Sequence, residues 1–317
     1  MVEIRQTREE DEEDIRTLFK ICFDKELSHE EWLWKYKNSY LGTSSFVAED
    51  NGKIIAHYGG FKMRFYSNGA VFNAYQGCDV MTHPKYRARL FAKKGAIIKT
   101  AEAFYKANPA EFIFGFPSER HGRLMKLQLG WESPRVINVM KKDRSEFSTY
   151  RNPLLKIETG WDRISSEDVD NMWMKTRDSY RLSIEKESRY ILWRYRDNPR
   201  RRYEVVIFRG LLRKEVKAYV IFRMNNDEMS LLDFFISKEI NIKKVLAALE
   251  QIALKRKAPS VNLWVSPEEG IYKDFRKAGY REGKGIPYTL RVFEGSRLSP
   301  GFFLDHYCYR QGDYDAA

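Results

Sequence analysis

A five-residue run, Leu33-Trp-Lys-Tyr-Lys37, returns 159 residues later as Leu192-Trp-Arg-Tyr-Arg196. A second pair lies at nearly the same offset: the ending Leu129-Gly-Trp131 returns as Ala278-Gly-Tyr280, 149 residues on. A long offset that holds to within about ten residues, with the same order of elements between the marks, identifies a diverged duplication. The chain must therefore fold twice into one architecture. Its 317 residues suffice for two cores of ordinary size. The spacing places one copy at residues 1–145 and the other at 160–317, parted by a charged, proline-containing stretch.

Within the first copy the signals alternate between periods of two and of 3.6. Thr7-Arg-Glu-Glu10 has the form of a capping box, and Ile15, Leu18, Phe19, Cys22 and Phe23 then recur at helical spacing. Trp32 to Tyr36 predict a second helix. Residues 45–49 and 54–58 read as strands around Asn51-Gly52, a strong hairpin signal, and further strands are expected over 61–66 and 70–82. The apolar face of Phe91, Ile97, Ala101, Phe104 and Tyr105 predicts a helix from Phe91 that ends at Asn108-Pro109. Phe112-Ile-Phe-Gly-Phe116 reads as a strand buried on both faces, of the kind that pairs in parallel after a helical crossover. A helix and a strand over 136–140 follow. The expected class is α+β, with two tandem domains, each a mixed and mostly antiparallel sheet flanked by helices.

Composition narrows the function. No run approaches the roughly 18 apolar residues of a membrane span, and mean hydropathy is −0.59. The opening Met-Val-Glu-Ile-Arg-Gln enters a strand pattern, unlike a signal peptide, so a cytoplasmic protein is expected. Three dispersed cysteines, Cys22, Cys78 and Cys308, and five scattered histidines show neither disulfide nor metal-ligand spacing, so no metal is expected. A net charge of +12 implies an anionic partner.

The place for that anion is the stretch Gln76-Gly-Cys-Asp-Val-Met-Thr-His-Pro-Lys-Tyr-Arg-Ala-Arg-Leu-Phe-Ala-Lys-Lys94. Here a strand passes through a basic turn to a helix N-terminus, whose unpaired N–H groups and positive dipole end favour phosphate. The wording resembles the coenzyme A loop of the GNAT superfamily of N-acetyltransferases, in which a strand ending Val-x-Pro-x-Tyr-Arg leads into Arg/Gln-x-x-Gly-x-Gly/Ala. Arg87 takes the first position of that motif and Ala92 the last, while Leu90 stands where the family has its middle glycine. The second copy has no such turn between Leu232 and Lys244. The resemblance spans nearly the whole chain and points to uncharacterised two-repeat members of the superfamily.

What the resemblance implies is a site in the first copy. Val80, Met81, Thr82, Arg87, Ala88, Arg89, Leu90, Phe91, Ala92 and Ser118 would bind acetyl-CoA, with a backbone N–H near Val80 to Thr82 polarising the thioester carbonyl. Asp79, a carboxylate on an apolar strand, and then Glu119 are the candidate general bases, with His57 and His121 also able to take a proton. The family's tyrosine acid falls on Lys126. The implied reaction is acetyl transfer from acetyl-CoA to a primary amine of a small molecule such as an amino sugar. Two other readings stand beside it: a catalytically degenerate protein that binds coenzyme A or another anion, for which Leu90 and Lys126 speak, and an aminoacyl-tRNA-dependent transferase. Cations and aromatics interleave from Arg194 to Tyr203 as on nucleic-acid surfaces. Trp193 and Tyr195 nonetheless match Trp34 and Tyr36, which assigns the aromatics to a core and the arginines to a solvated face or to an anionic substrate, away from nucleic acid.

Overall fold

A computed structural model describes residues 2–89, 95–148, 155–210, 215–225 and 227–314. The chain divides into two compact units. One comprises Met1–Phe65, Phe72–Arg135 and Ile286–Leu304; the other comprises Tyr66–Val71, Val136–Gly285 and Asp305–Ala317.

The first unit begins with β1 (Glu3–Gln6), α1 (Glu12–Phe23) and α2 (His29–Trp32), which runs on as a π-helical turn over Leu33–Lys37. Then come β2 (Thr43–Asp50), β3 (Lys53–Ser67), β4 (Ala70–Thr82), α3 (Ala96–Ala107), β5 (Phe112–Gly115) and α4 (Glu119–Leu129). The helix cap predicted at Thr7 lies further on. Thr7 is bonded to β2 through Ser45, and Asp11 accepts the Arg8 N–H at 2.7 Å just before α1. The two strands expected over 54–58 and 61–66 are one continuous strand, β3. Gly59 and Gly60 do not break it. They leave room for neighbours, since a Cβ on Gly60 would stand 2.5 Å from Phe104 Cζ.

Strand pairing runs β1-β2-β3-β4-β5, with β1-β2 and β2-β3 antiparallel and β4-β5 parallel over Ala74–Phe112 to Gln76–Phe114. Alternation of side chains along each strand fills two cores. Phe46, Ala48 and Ile55 pack with Ile97, Ala101 and Phe104 of α3, whereas Val47 and Ile54 pack with Ile15, Leu18 and Phe19 of α1.

The second unit repeats this order. It contains β6 (Arg135–Asp143) from Val136 onward, β7 (Leu155–Thr159), α5 (Ser166–Thr176), the short β8 (Ser183–Ile184) and α6 (Ser188–Ile191), which again runs into a π-helical turn over Leu192–Arg196. There follow β9 (Glu204–Gly210), β10 (Val216–Asn225), β11 (Glu228–Ile236), α7 (Ile242–Lys255), β12 (Ser260–Trp264) and α8 (Gly270–Lys277). Pairing runs β7-β9-β10-β11-β12, antiparallel except for the parallel β11-β12 step. The last strand of each copy is exchanged. β6, which follows α4, pairs with β12 from Lys142–Val261 to Val139–Trp264. β13 (Arg281–Val292), which follows α8, pairs over Thr289–Val292 with β5. The core of the second unit gathers Val206, Phe208, Val220, Leu246, Leu249, Val261 and Leu263. Both units are mixed α+β, as the sequence predicts.

Candidate functional site

Beyond the last parallel pair, Gln76 with Phe114, β4 carries an irregularity. Asp79 has φ of +45°, in the left-handed region that a residue with a Cβ enters at a cost. The next three residues, Val80, Met81 and Thr82, line a cleft of about 210 Å³. Its other walls come from Cys22 and Phe23 at the end of α1, Arg87 in the turn Pro84–Arg89, Ile97 in the first turn of α3, and Ser118, Arg120, His121 and Leu124 of α4 and its cap.

Five of the ten residues expected at the cofactor therefore share one cavity: Val80, Met81, Thr82, Arg87 and Ser118. The backbone of Ala88 and Arg89 belongs to the turn. Leu90, Phe91 and Ala92 lie outside the described residues, as does the start predicted for the helix at Phe91; the described helix begins at Ala96.

The cleft is built for negative charge. Arg87 donates from Nε to the Thr82 carbonyl at 2.9 Å, which fixes its side chain, and among the described residues its guanidinium meets no carboxylate. Arg120 adds a second cation. The N-cap of α3 is Gly95, which offers no side-chain oxygen to the first-turn N–H groups, so an anion can fill that role. The second copy differs at this point. There β11 ends at Ile236, α7 begins at Ile242, and Asn241 caps the helix by accepting the Lys243 N–H at 2.9 Å.

The titratable groups sort by surroundings. Cys22 donates its thiol to the Thr82 carbonyl at 3.3 Å; burial pushes the thiol up, and the opposing Arg87 does not reverse this, so it stays protonated. Burial pushes the half-buried His121 down to about 4, which leaves the imidazole neutral at pH 7. Glu119 is exposed at the first position of α4, beside Ser118, whose Oγ accepts the His121 N–H at 3.4 Å. Lys126 is exposed and donates to Ser133 Oγ at 2.6 Å.

Asp79 is nearly sealed, with 5% of its side chain exposed. Lys35 Nζ lies 2.8 and 3.1 Å from its two carboxylate oxygens, and the Tyr36 hydroxyl donates to Oδ2 at 2.7 Å. Burial would raise this carboxyl, but the Lys35 charge and the hydrogen bonds from Lys35 and Tyr36 outweigh it and hold the group below its usual range. The Asp79 carbonyl is held as well, by His57 Nδ1–H at 2.7 Å, while burial lowers the imidazole and keeps it neutral. Lys35 and Tyr36 are the functional candidates that sequence reasoning passed over. Their signal was the repeated Leu-Trp-Lys/Arg-Tyr run, which marks a copy but not a partner 44 residues away.

The basic run of the second copy is not the solvated face expected of it throughout. Arg194 is buried, 3% exposed, and donates from Nε to the Gly312 carbonyl at 2.8 Å. Among the described residues no group of three His, Cys, Asp or Glu is placed to hold a metal ion, and no helix is long and apolar enough to cross a membrane.

Against known proteins, residues 3–132 match the family model of the acetyltransferase (GNAT) domain. No curated protein matches the sequence. Solved structures share the fold at low identity. A conserved Enterococcus faecalis protein of unknown function, described as a probable N-acyltransferase, superposes with a TM-score of 0.75 at 12% identity, over 93% of this chain and 73% of that one. A GCN5-related N-acetyltransferase from Anabaena variabilis gives 0.67 at 12% identity, over 92% and 73%. A tandem GNAT protein from the clavulanic acid biosynthesis pathway gives 0.57 at 10% identity, over 92% and 98%.

Proposed function

We propose, from the premise that this chain carries a GNAT acetyltransferase domain in residues 3–132, that it transfers an acetyl group from acetyl-CoA to the primary amine of a small molecule such as an amino sugar. The observation that carries the reading is a convergence. An irregular strand end, an arginine that meets no carboxylate among the described residues, and Ile97 from the first turn of a helix whose N-cap is a glycine line one cleft in the first copy. The second copy closes the corresponding place with Asn241.

In this reading the cofactor lies along Val80, Met81 and Thr82 and sets its phosphates against Arg87, the segment Ala88, Arg89, Leu90, Phe91 and Ala92, and the α4 end at Ser118. The neutral amine attacks the thioester carbonyl carbon, the C–S bond breaks, and coenzyme A leaves as a thiolate that takes a proton from water. The proton lost by the amine passes to Glu119, which is exposed and stands in the chain between the cleft-lining Ser118 and Arg120. Asp79, buried, ion-paired to Lys35 and held below its usual range, serves through the strand it shapes. Residues 1–145 bind the cofactor and residues 160–317 carry no cofactor loop.

One observation favours a second reading, a binder without catalysis. Lys126, at the position of the family's tyrosine, is exposed and engaged with Ser133. The two part on one experiment: incubation with acetyl-CoA and a panel of amino sugars and polyamines, followed by release of free coenzyme A thiol and by the acetylated product in mass spectrometry. Product with any amine upholds transfer. Calorimetric binding of acetyl-CoA with no product across the panel selects the binder, and no binding at all removes both.

A further inference from the structure

Asp79 is gripped at its carboxylate and its carbonyl: both carboxylate oxygens by Lys35, one of them also by Tyr36, and the carbonyl by His57. These three side chains come from two elements, the π-helical turn after α2 and strand β3. The residue so held is the one in β4 with a left-handed backbone, and the next residue lines the cleft. Left-handed backbone at a residue with a Cβ persists only where its surroundings impose it.

The second copy separates what such a cluster does for folding from what it adds. Asp233 stands in β11 where Asp79 stands in β4, and it too accepts from the tyrosine of the π-helical turn, Tyr195, at 3.0 Å. Its cation is different. Lys186 lies 2.5 Å from Asp233 and 2.7 Å from Asp313, while Arg194, the counterpart of Lys35, turns to the Gly312 carbonyl. Asp233 is not among the residues of positive φ. The buried aspartate and its tyrosine thus belong to the fold of both copies. The lysine from the turn and the left-handed backbone belong to the copy that has the cleft.

We propose that Lys35, Tyr36 and His57 are positioning residues that lock Asp79 in its left-handed conformation and so set the backbone of Val80, Met81 and Thr82 against the acyl carbonyl of the bound thioester. The proposal rests on the cofactor reading given above. A residue rotated back to extended backbone would redirect the chain that follows it, and a polarising N–H is effective only if already aimed. None of the three is among the residues that line the cleft. Removing the lock therefore changes the environment of the acyl group while the phosphate contacts at Arg87 stay in place.

The test uses the whole chain with Glu31→Gln, Lys35→Met and Asp79→Asn combined, so that neither carboxylate beside Lys35 is left buried without its cation, and with Tyr36→Phe and His57→Gln as milder single variants should the triple variant not fold. The readout is the infrared carbonyl band of acetyl-CoA labelled with ¹³C at the acetyl carbonyl, bound and free, beside the calorimetric affinity for coenzyme A lacking the acetyl group. In the parent the band should move to lower frequency on binding. In the variants it should return toward the free position while coenzyme A affinity stays within about threefold; where an amine substrate is in hand, kcat should fall with KM for acetyl-CoA little changed. A variant that folds, binds acetyl-CoA and keeps the parent's band overturns the proposal and leaves an ordinary buried ion pair. A parent that binds acetyl-CoA without any band shift also overturns it, with the cofactor reading intact. A parent that binds no acetyl-CoA overturns both.

Discussion

Arg87 and Asp79 stand eight residues apart and illustrate two uses of charge at one strand end. Arg87 is half-buried and fixed through Nε, so its remaining donors are organised before any ligand arrives. Arg87→Ala should weaken acetyl-CoA binding by about 1.5–3 kcal/mol, the range for a lost charge-assisted contact, and isothermal calorimetry at moderate salt measures it directly. Unchanged affinity would reduce the turn to a merely basic one. Asp79 spends its charge inside the protein. Its folded pKa lies below the unfolded value near 3.9, so its contribution is fully present above about pH 4 and is lost as pH falls through the folded value. Asp79→Asn takes the nearer of two carboxylates from the buried Lys35, with Glu31 Oε1 remaining at 3.8 Å, and should cost about 1–3 kcal/mol at pH 7. The gap to the parent should then narrow in urea unfolding at pH 3.5, and a gap independent of pH would mean that the native carboxyl is uncharged. Sequence could single out Asp79, because a carboxylate in an apolar strand is rare without a partner. It could not name Lys35, because a contact between a helical turn and a strand leaves no mark in the period of either.

The elements were legible wherever one face is apolar and the other is not. Ile97, Ala101 and Phe104 announce α3, and Asn51-Gly52 announces the hairpin, whose two residues do take positive φ. The misreading of β3 has a physical origin in the same kind of signal. Glycine inside a strand weakens it locally but also marks close approach, and the sequence cannot say which applies. Here it is approach: the Phe104 ring, 1% exposed and packed on Tyr58 and Tyr75, occupies the space above Gly60. Gly60→Ala should therefore destabilise the protein by about 1–3 kcal/mol through overpacking. Thermal melts of Gly60→Ala, Phe104→Leu and the double variant check the cause, since the smaller side chain should recover part of the loss. Strict additivity of the two changes would place the origin elsewhere.

At the scale of the whole molecule the duplication was visible and the strand exchange was not. Periodicity marks β6 as a strand, yet hydrogen bonding in a sheet is indifferent to which copy a strand comes from, so the sequence holds no local record of the choice. The exchange has a consequence for how the chain can be divided. β5 finds its antiparallel neighbour in Thr289–Val292, and β12 finds its own in β6. A fragment of residues 1–147 therefore carries β6 without β12 and β5 without β13, and residues 155–317 lack β6 in turn. Each piece alone presents an unpaired inner strand edge, the arrangement that proteins avoid because it invites association. Produced together, the two pieces should co-purify as one stoichiometric complex that melts in a single cooperative transition. Produced singly, each should be aggregated or lack such a transition. One fragment that is monomeric and melts cooperatively by itself would show that β6 or β13 can return to its own copy, and the exchange would then be a choice between two near-equal pairings instead of a requirement of the fold.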